Sequence, residues 1–302
     1  MDKKKNFKKI IHNSYTPLKE TNSLNKYPFF SVAMSVYKKD NEKWFDKALE
    51  SITNQTINPN EIILVIDGPI SNSIQNIINK YTDICYNKKI IFKTIYLAIN
   101  KGLGNALKLA LENCTHEIVA RMDSDDIAVS TRFEQQLNIL SKHPEIDILG
   151  GDILEFIDNN KDKTFKRIVP ITDSKIKQYL KKRCPFNHMT VMYRKSSVLN
   201  VGSYMDIFWN EDYFLWIRMA EKKCIMANTG TILVKVRINK DMYKRRGGIR
   251  YFKSEKFLQS YMLRKRMITI PEYCDNLLKR FIVQVILPPQ IRGWIFQKLA
   301  RN

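Results

Sequence analysis

The chain has 302 residues, of which 44% are hydrophobic, and a formal net charge of +21. This length allows one large or two ordinary domains, and the apolar content excludes a wholly disordered protein. The five cysteines are scattered without CxxC spacing, so we expect no zinc site and no disulfide framework, and a reducing cytosol fits best. No segment has the apolar character of a secretory signal or a membrane-spanning helix.

The positive charge is concentrated at the two ends of the chain. Residues 1–26 carry +5 and residues 241–302 carry +10, whereas the whole middle of the chain carries only +6. Basic ends indicate an anionic partner, either a membrane surface or a nucleic acid, although solubility alone also explains them. We therefore predict a basic N-terminal arm at 1–27, a folded domain at 28–240 and a basic amphipathic C-terminal extension at 241–302.

Residues 28–156 alternate between apolar strands and amphipathic helices. Strands are predicted at 29–37, 61–66 and 90–97 and from Ile118 onward, and apolar residues at helical spacing follow each of them. This alternation predicts an α/β fold with a parallel sheet and helices on both faces, the doubly wound arrangement of nucleotide-binding proteins. Ligands of such sheets bind outside the carboxyl ends of the strands, so polar residues there are candidates for a site.

Two of these strand ends carry turn-like sequences. The second strand ends in Asp67-Gly68, where the carboxylate could accept a hydrogen bond from a base or ribose, but Asp-Gly is equally a turn signal. Asn100–Gly104 follows the third strand and could bring backbone N–H groups near a phosphate, although a tight strand-to-helix turn explains it as well. Both segments lie where a nucleotide is expected.

The fourth strand ends in three carboxylates, Asp123, Asp125 and Asp126, within the sequence IVARMDSDDI. Carboxylates this close repel one another unless a cation lies between them, and oxygen ligands without Cys or His favour Mg²⁺ or Mn²⁺. The alternative is a solvated loop that caps the next helix, with Thr131 and Glu134 forming a capping box. Spacing alone leaves both interpretations open.

After residue 156 the alternation is lost, and an acidic pair becomes the main candidate. Glu211 and Asp212 open a predicted helix, where the helix dipole favours acidic residues in any case. However, Trp209 and Tyr213 flank the pair with aromatic surface suited to a sugar ring, and partial burial would raise a carboxylate pKa toward values useful to a general base. Earlier in this half, His188 introduces an apolar strand predicted at 189–193 that would form a wall of the site.

The basic C-terminal region offers two further features. Lys244-Arg245-Arg246 could neutralise a diphosphate through the guanidinium groups, or form a solvated basic loop. Residues 275–302 combine Leu, Phe, Ile and Trp with five basic residues, and Pro288-Pro289 would divide them into two short pieces able to lie in a membrane interface. Alternatively, residues 281–287 pack as an ordinary helix against the core.

Taken together, these segments resemble glycosyltransferase family 2, specifically the bacterial polysaccharide enzymes of the amylovoran and O-antigen or capsule type. The resemblance covers about residues 28–250 and follows the family's order of motifs: FFSVAMSVYKKD, VIDGP, NKGLGNALKLAL, ARMDSDDIAVSTRFEQQ, NHMTVMYRKSSVLNVGSY and NEDYFLWIRM. The chain departs from the pattern at Ser130-Thr131, where the family often has Pro-Asp before Arg132.

The resemblance implies the GT-A fold and an inverting, metal-dependent transfer of a hexose, from a UDP-hexose to an undecaprenyl-diphosphate-linked saccharide. Tyr37 and Asp67 would contact the uridine. Asp123 and Asp125 would form the DXD motif, with Asp125 as the direct ligand of Mg²⁺ or Mn²⁺. Asp212 would be the catalytic base.

By the same resemblance, each half of the predicted domain would bind one of the two substrates, the nucleotide sugar or the acceptor. Residues 28–156 would bind the nucleotide sugar, joined by Arg245 and Arg246. Residues 157–240 would bind the acceptor, and the predicted acceptor contacts are His188, Trp209 and Tyr213. Since a lipid-linked acceptor implies an anionic membrane surface as partner, we expect a cytoplasmic, peripheral location on the inner face of the bacterial plasma membrane.

Two other classes of protein share part of this pattern. A haloacid-dehalogenase-like phosphatase also ends a strand in DxD, but its second acid is normally followed by Gly-Thr, whereas Asp126-Ile127 follows Asp125 here. A basic nucleic-acid-binding protein would explain the charged ends, but the chain lacks a known recognition motif. We therefore expect no nucleic acid partner.

Overall fold

The structure, a computed structural model, describes residues 27–157, 160–238, 247–288 and 291, excluding the side chains of 160–163. Three predicted features lie outside these residues: the basic N-terminal arm, the Arg245-Arg246 pair, and the end of the C-terminal extension. The remaining predicted site residues are all described.

A mixed sheet forms the centre of the described chain. Its strands are β1 (Phe30–Val36), β2 (Glu61–Ile66), β3 (Ile91–Tyr96), β4 (Ile118–Arg121), β5 (Ile127–Ala128), β6 (Ile148–Ile157), β7 (Asn160–Arg167), β8 (Met192–Arg194) and β9 (Met226–Arg237). Over the described ranges their order is β3-β2-β1-β4-β8-β6-β9-β5, with β7 paired to β6. Strands β1 to β4 are mutually parallel, whereas β8, β7 and β5 run antiparallel to their neighbours. The predicted α/β sheet, mostly parallel, is confirmed.

Helices cover both faces of the sheet. They are α1 (Glu42–Thr53), α2 (Asn72–Asn87), α3 (Leu103–Asn113), α4 (Arg132–Lys142), α5 (Asp173–Leu180), α6 (Lys195–Asn200), α7 (Glu211–Glu221), α8 (Ile249–Arg264) and α9 (Ile270–Phe281), which continues as a π-helical turn at Ile282–Ile286. Within the part of the chain that is described, none of them has the length and apolarity needed to cross a bilayer.

The strand predicted at 189–193 is shorter than expected. A 3₁₀ turn occupies His188–Thr190, and β8 begins only at Met192. The Thr190 hydroxyl donates a hydrogen bond of 2.7 Å to the Asn187 carbonyl, which closes the turn. A side chain that bonds to nearby backbone in this way competes with strand pairing.

Two apolar cores lie on opposite faces of the sheet. Val32 and Met34 of β1 point into the first core, with α1, α2 and α4, while Ala33 points into the second, with α3, α5, α7 and α8. This is the alternation that a strand buried on both faces requires. Because α8 supplies Leu258 and Met262 to the second core, this part of the predicted extension is packed into the domain.

The parallel strands bring the predicted site residues to one edge of the sheet. Tyr37 directly follows β1, Asp67 directly follows β2, and Asp123 lies two residues after the end of β4. Since Val36 pairs with Ile66, and β1 also pairs in parallel with β4, the three strand ends open into the same crevice.

Candidate active site

The three carboxylates of the acidic cluster lie close enough together to hold a divalent cation. Asp123, Asp125 and Asp126 each present a carboxylate oxygen, and these oxygens lie within 4.8 Å of one another. Asp126 is buried, while Asp123 and Asp125 are partly exposed toward the crevice. Clustered oxygen ligands match the coordination preferences of Mg²⁺ and Mn²⁺, so the residues present fit such an ion.

A fourth carboxylate, that of Asp40, adjoins this cluster. Its Oδ2 accepts hydrogen bonds from the Ser124 hydroxyl (2.8 Å) and from the Tyr37 backbone N–H (3.1 Å). Burial raises the pKa of Asp40 to about 6. Burial, followed by the charges of Asp123 and Asp40, raises the pKa of Asp125 to about 7. A bound cation would favour the ionised carboxylates, so the crevice is electrostatically suited to one.

Two arginines, Arg121 and Arg237, contact the acidic cluster. Arg121, which is 1% exposed, forms an ion pair with Asp123. The backbone N–H of Arg237 donates to Asp126 Oδ1 at 3.0 Å, and its side-chain Nε donates to the Asp125 carbonyl at 3.2 Å. Asp126 is therefore tied to β9, which leaves Asp123 and Asp125 as the better candidates for metal ligands.

The capping box predicted for the following helix is wrong. Thr131 makes no side-chain cap to α4, and its hydroxyl instead accepts a hydrogen bond of 2.8 Å from Gln135. The backbone N–H of Phe133 is satisfied by Gln55 Oε1 at 3.2 Å, a partner from the end of α1. A long-range contact thus replaces the local cap, and helix capping does not account for the acidic cluster.

Asp67 organises the glycine-containing loop that precedes α3. Its two carboxylate oxygens accept from the backbone N–H groups of Lys101 (2.6 Å) and Gly102 (2.9 Å). Gly68 has φ of 91°, and a Cβ there would lie 2.7 Å from the Asn100 nitrogen. Asp67-Gly68 and Asn100–Gly104 therefore both form turns, as predicted. The N–H groups of Lys101 and Gly102 are hydrogen-bonded to Asp67. Contact of Asp67 with a nucleotide stays a prediction, since each carboxylate oxygen can accept a further bond.

The acidic pair begins helix α7 as predicted. Asp212 Oδ1 accepts from the Tyr213 backbone N–H at 2.6 Å, and its Oδ2 lies 3.8 Å from the Cys184 thiol. Burial, followed by the charge of Asp212, raises the pKa of Glu211 to about 7. A carboxylate with such a pKa can accept a proton near neutral pH.

The acidic pair lies near the acidic cluster. The charge of Arg121 lowers the pKa of Glu211 and that of Asp123 raises it, so these groups are electrostatic neighbours. At the start of α3, a Cβ on Gly104 would lie 3.1 Å from the Met205 carbonyl and 3.4 Å from Glu211 Cβ. Glycine therefore permits the close approach of α3 to the loop before α7 and to its first residue.

Comparison with known sequences decides the family. The family profile described as Glycosyl transferase family 2 matches residues 31–208. Amylovoran biosynthesis glycosyltransferase AmsE of Erwinia amylovora is 39% identical over 235 residues, covering 78% of this chain and 85% of its own. The chain belongs to glycosyltransferase family 2.

A second relative of this family 2 glycosyltransferase covers more of its length. The UDP-Gal:alpha-D-GlcNAc-diphosphoundecaprenol beta-1,3-galactosyltransferase of Escherichia coli is 36% identical over 275 residues, which are 91% of this chain and 98% of the relative. The family profile contains the acidic cluster but ends just before Glu211.

Solved structures confirm the GT-A fold. S. aureus TarS 1-349 in complex with UDP-GlcNAc superposes with a TM-score of 0.60 at 17% identity, covering 89% of this chain and 76% of that one. Mannosyltransferase PcManGT from Pyrobaculum calidifontis, in complex with GDP-Man and Mn²⁺, gives a TM-score of 0.58 at 11% identity, covering 91% and 82%. At these identities the likeness concerns the fold alone.

The predicted acceptor contacts of the glycosyltransferase fall into two groups. Trp209 is 45% exposed just before α7, and its contact with an acceptor sugar stays a prediction. Tyr213 is 2% exposed and donates to the Leu180 carbonyl, so the prediction that it offers aromatic surface is wrong. The reason is that α7 is buried on nearly every side, from Tyr213 to Met219.

His188 lies in the interior behind the crevice. It is 9% exposed, and its Nε2 is 3.0 Å from the Tyr204 hydroxyl, with the Trp216 ring packed edge-on against it. Burial, followed by the charge of Arg121, keeps the pKa of His188 well below its usual value. The imidazole is neutral and enclosed, and the prediction that His188 contacts the acceptor is wrong.

Several residues of the site were missed by sequence reasoning. Asp40 lies three residues after the Tyr37 strand end, and the rule that polar residues collect at strand ends could have identified it. Arg121 is a charged residue closing a buried strand, which is itself a signal. Cys184 and Arg237 carry no local signal, because their partners are distant along the chain.

Proposed function

We propose that this family 2 enzyme is an inverting, metal-dependent hexosyltransferase that transfers a hexose from a UDP-sugar to a lipid-linked saccharide. The observation that carries the proposal is the proximity of the acidic cluster to the acidic pair. A nucleotide diphosphate needs a cation, an acceptor hydroxyl needs a base, and the two groups of carboxylates supply one each.

On the donor side, Asp125 and Asp123 would hold Mg²⁺ or Mn²⁺. The ion, when bound, neutralises charge on the departing diphosphate. Tyr37 and Asp67 would contact the uridine, because both lie at the strand ends beside the cluster. The UDP-GlcNAc complex of TarS and the name of the E. coli relative support a UDP-sugar as donor.

On the acceptor side, Asp212 would take the proton of the attacking hydroxyl. The acceptor oxygen forms a bond to the anomeric carbon from the face opposite the diphosphate, whose bond to that carbon breaks, and the proton passes to the carboxylate. Asp212 is held for this by the Tyr213 N–H and by the Cys184 thiol. Trp209, the exposed aromatic residue beside the pair, would stack on the acceptor sugar.

The acceptor would be a saccharide on undecaprenyl diphosphate, presented at the inner face of a bacterial plasma membrane for polysaccharide synthesis. The names of the two relatives support this substrate class: one relative serves amylovoran biosynthesis, and the other acts on GlcNAc-diphosphoundecaprenol. The predicted diphosphate contacts Arg245 and Arg246 remain part of the proposal.

A screen of UDP-hexoses and UDP-N-acetylhexosamines against a synthetic GlcNAc-diphosphate lipid tests the proposal. Reactions with Mg²⁺ or Mn²⁺ are read by mass spectrometry, and the expected product is the acceptor plus one hexose, with inverted anomeric configuration by NMR. Asp125→Ala serves as the inactive control. Release of phosphate without glycosylated product, or retained configuration, would contradict it.

A further inference from the structure

The last described helix, α9 with its π-helical turn, buries two amide side chains and leaves apolar side chains exposed. Asn276 and Gln284 are only 4% and 5% exposed, although both are amides. Four apolar residues on the opposite side face solvent: Leu278 (60% exposed), Phe281 (39%), Ile282 (40%) and Ile286 (60%). Amphipathic helices of globular proteins normally turn their apolar side to the core, so four exposed apolar residues on one side of this helix are unusual.

Specific hydrogen bonds hold the helix in this orientation. Asn276 donates to the Lys181 carbonyl and to Gln259 Oε1, both at 3.0 Å. Arg280 forms an ion pair of 2.6 Å with Glu255 of α8 and donates to the Lys182 carbonyl at 2.7 Å. Rolling the helix to bury its apolar side would leave these buried groups without partners, at a cost in free energy for each. Residues 281–287 therefore pack as a helix against the domain, as the alternative predicted: the Gly248 N–H donates to the Gln284 carbonyl at 2.8 Å and Phe281 contacts the Phe252 ring. The residue that they bury is the amide Gln284, and Phe281, Ile282 and Ile286 stay exposed.

We call the exposed residues Leu278, Phe281, Ile282 and Ile286 the outward stripe. Single exposed apolar residues are common on protein surfaces and need no explanation. A contiguous group of them, in contrast, marks a contact with a partner or with lipid. Residues 249–288 contain eight Lys and Arg but only three acidic residues. Seven of these eight cations are exposed, among them Lys253 and Lys256 of α8. The chain beyond residue 291 adds Trp294, Lys298 and two arginines.

We infer that the outward stripe inserts into the surface of an anionic membrane, with the basic residues around it meeting the headgroups. An apolar stripe flanked by cations is what an interfacial helix requires. A second copy of the chain is the competing occupant, but a symmetric contact would bring two surfaces of the same positive charge together. Charge complementarity therefore favours the membrane.

The helix that carries the stripe is connected to the acidic pair through α8 and through residues 181–184. On α8, the Ser254 hydroxyl donates to the Phe208 carbonyl (2.8 Å) and accepts from Asn210 Nδ2 (3.0 Å), directly before Glu211. The Lys181 and Lys182 carbonyls that receive α9 lie just before Cys184, whose thiol faces Asp212. If the proposed function holds, as this step assumes, the membrane contact would fix the acceptor side of the crevice close to the lipid-linked substrate.

Flotation of the full chain on liposomes tests the inference. The vesicles contain phosphatidylcholine with or without phosphatidylglycerol, at low and at high salt. The test variant is Leu278→Ser, Ile282→Ser, Ile286→Ser. Its matched control is Tyr86→Ser, Ile168→Ser, Leu199→Ser, which removes three exposed apolar residues from other surfaces.

We expect wild type and control to float with anionic vesicles at low salt, and less at high salt because screening weakens attraction to headgroups. The stripe variant should lose about tenfold or more of its bound fraction, because three insertions are lost. Equal flotation of the stripe variant, or failure of wild type to float, would overturn the inference. So would a wild-type dimer by light scattering that the stripe variant converts to monomer, since it identifies a second copy as the occupant.

Two further measurements, flotation of a Trp variant and transfer to a soluble acceptor, test the inference if the triple variant misfolds and separate it from the proposed function. Ile286→Trp should raise the bound fraction, because Trp favours the membrane interface, and an unchanged or lower value would count against the inference even if the triple variant misfolds. Transfer to a water-soluble acceptor separates the two proposals. Flotation through the stripe without transfer to any acceptor contradicts only the proposed function, whereas transfer without flotation contradicts only the membrane contact.

Discussion

The two groups of carboxylates are held by different kinds of donor. Asp123 of the acidic cluster is paired with the buried guanidinium of Arg121, and Asp126 accepts from the Arg237 backbone. In the acidic pair, Asp212 contacts a backbone N–H of its own helix and the Cys184 thiol. A buried guanidinium places a positive charge beside Asp123, whereas the two donors to Asp212 are neutral, so the two groups of carboxylates have different electrostatic surroundings.

The largest effect is expected at the cluster. Asp125→Ala removes the predicted metal ligand and should lower the transfer rate by at least about 1000-fold, because charge on the leaving diphosphate is no longer neutralised. EDTA should inactivate the wild type, and added Mn²⁺ should restore it. The control Ser124→Ala loses only the bond to Asp40 and should stay within a few-fold of wild type. Wild-type rates in Asp125→Ala, or insensitivity to EDTA, would show that the site is misassigned.

The next largest effect is expected at the pair. Asp212→Asn keeps the shape of the side chain but cannot take the proton, so turnover should fall by at least about 100-fold. Binding of the UDP-sugar, measured by calorimetry, should be unchanged. Glu211→Gln should cost less turnover. The opposite ranking would assign the base to Glu211, whose raised pKa makes it the natural competitor.

Glu211→Gln should also stabilise the fold at alkaline pH. Folding raises the pKa of Glu211 from 4.5 to about 7, so ionisation of this group destabilises the wild type progressively as the pH rises through that interval. Above it, the variant should gain about 1–3 kcal/mol in the free energy of unfolding. Urea unfolding of metal-free protein at about pH 8 and about pH 5 measures the difference. An equal gain at both values would mean that ionisation is not the cause.

The smallest effect concerns Cys184. Cys184→Val removes the thiol donor to Asp212 and should reduce turnover by about two- to tenfold, in keeping with the loss of one weak hydrogen bond. Cys184→Ser retains a donor and should be closer to wild type. The pH profile of turnover should shift in the Val variant alone. Identical profiles and rates in both variants would limit the thiol to packing.

Much of residues 28–156, the half predicted to bind the nucleotide sugar, could be predicted from the sequence. The patterns that indicate its strands and turns are formed by residues close together in the chain. The apolar runs that form β1 to β4 mark buried strands, and each changes to polar residues where the crevice begins. The Asp67-Gly68 turn was likewise predictable from two adjacent residues. The family motifs then placed these segments in the GT-A fold.

The remaining features depend on partners that are far apart in sequence. No local pattern pairs Asp126 with Arg237, Phe133 with Gln55, or Cys184 with Asp212. The periodicity of α9 likewise reveals an apolar side and a polar side without saying which one docks. The docked side is determined by the ion pair of Arg280 with Glu255 and by hydrogen bonds to the Lys181 and Lys182 carbonyls, which follow α5.

The docking of α8 has a practical consequence for anyone who shortens the chain. Leu258 and Met262 are fully buried, and Tyr261 packs its ring edge-on against Phe214 of α7. A protein cut at residue 240 would open this side of α7 to water and strip the Phe208 carbonyl of its hydroxyl donor. Such a fragment should aggregate during purification, so a shortened protein for crystallisation should keep α8 and α9, with solubility improved by substitutions in the outward stripe.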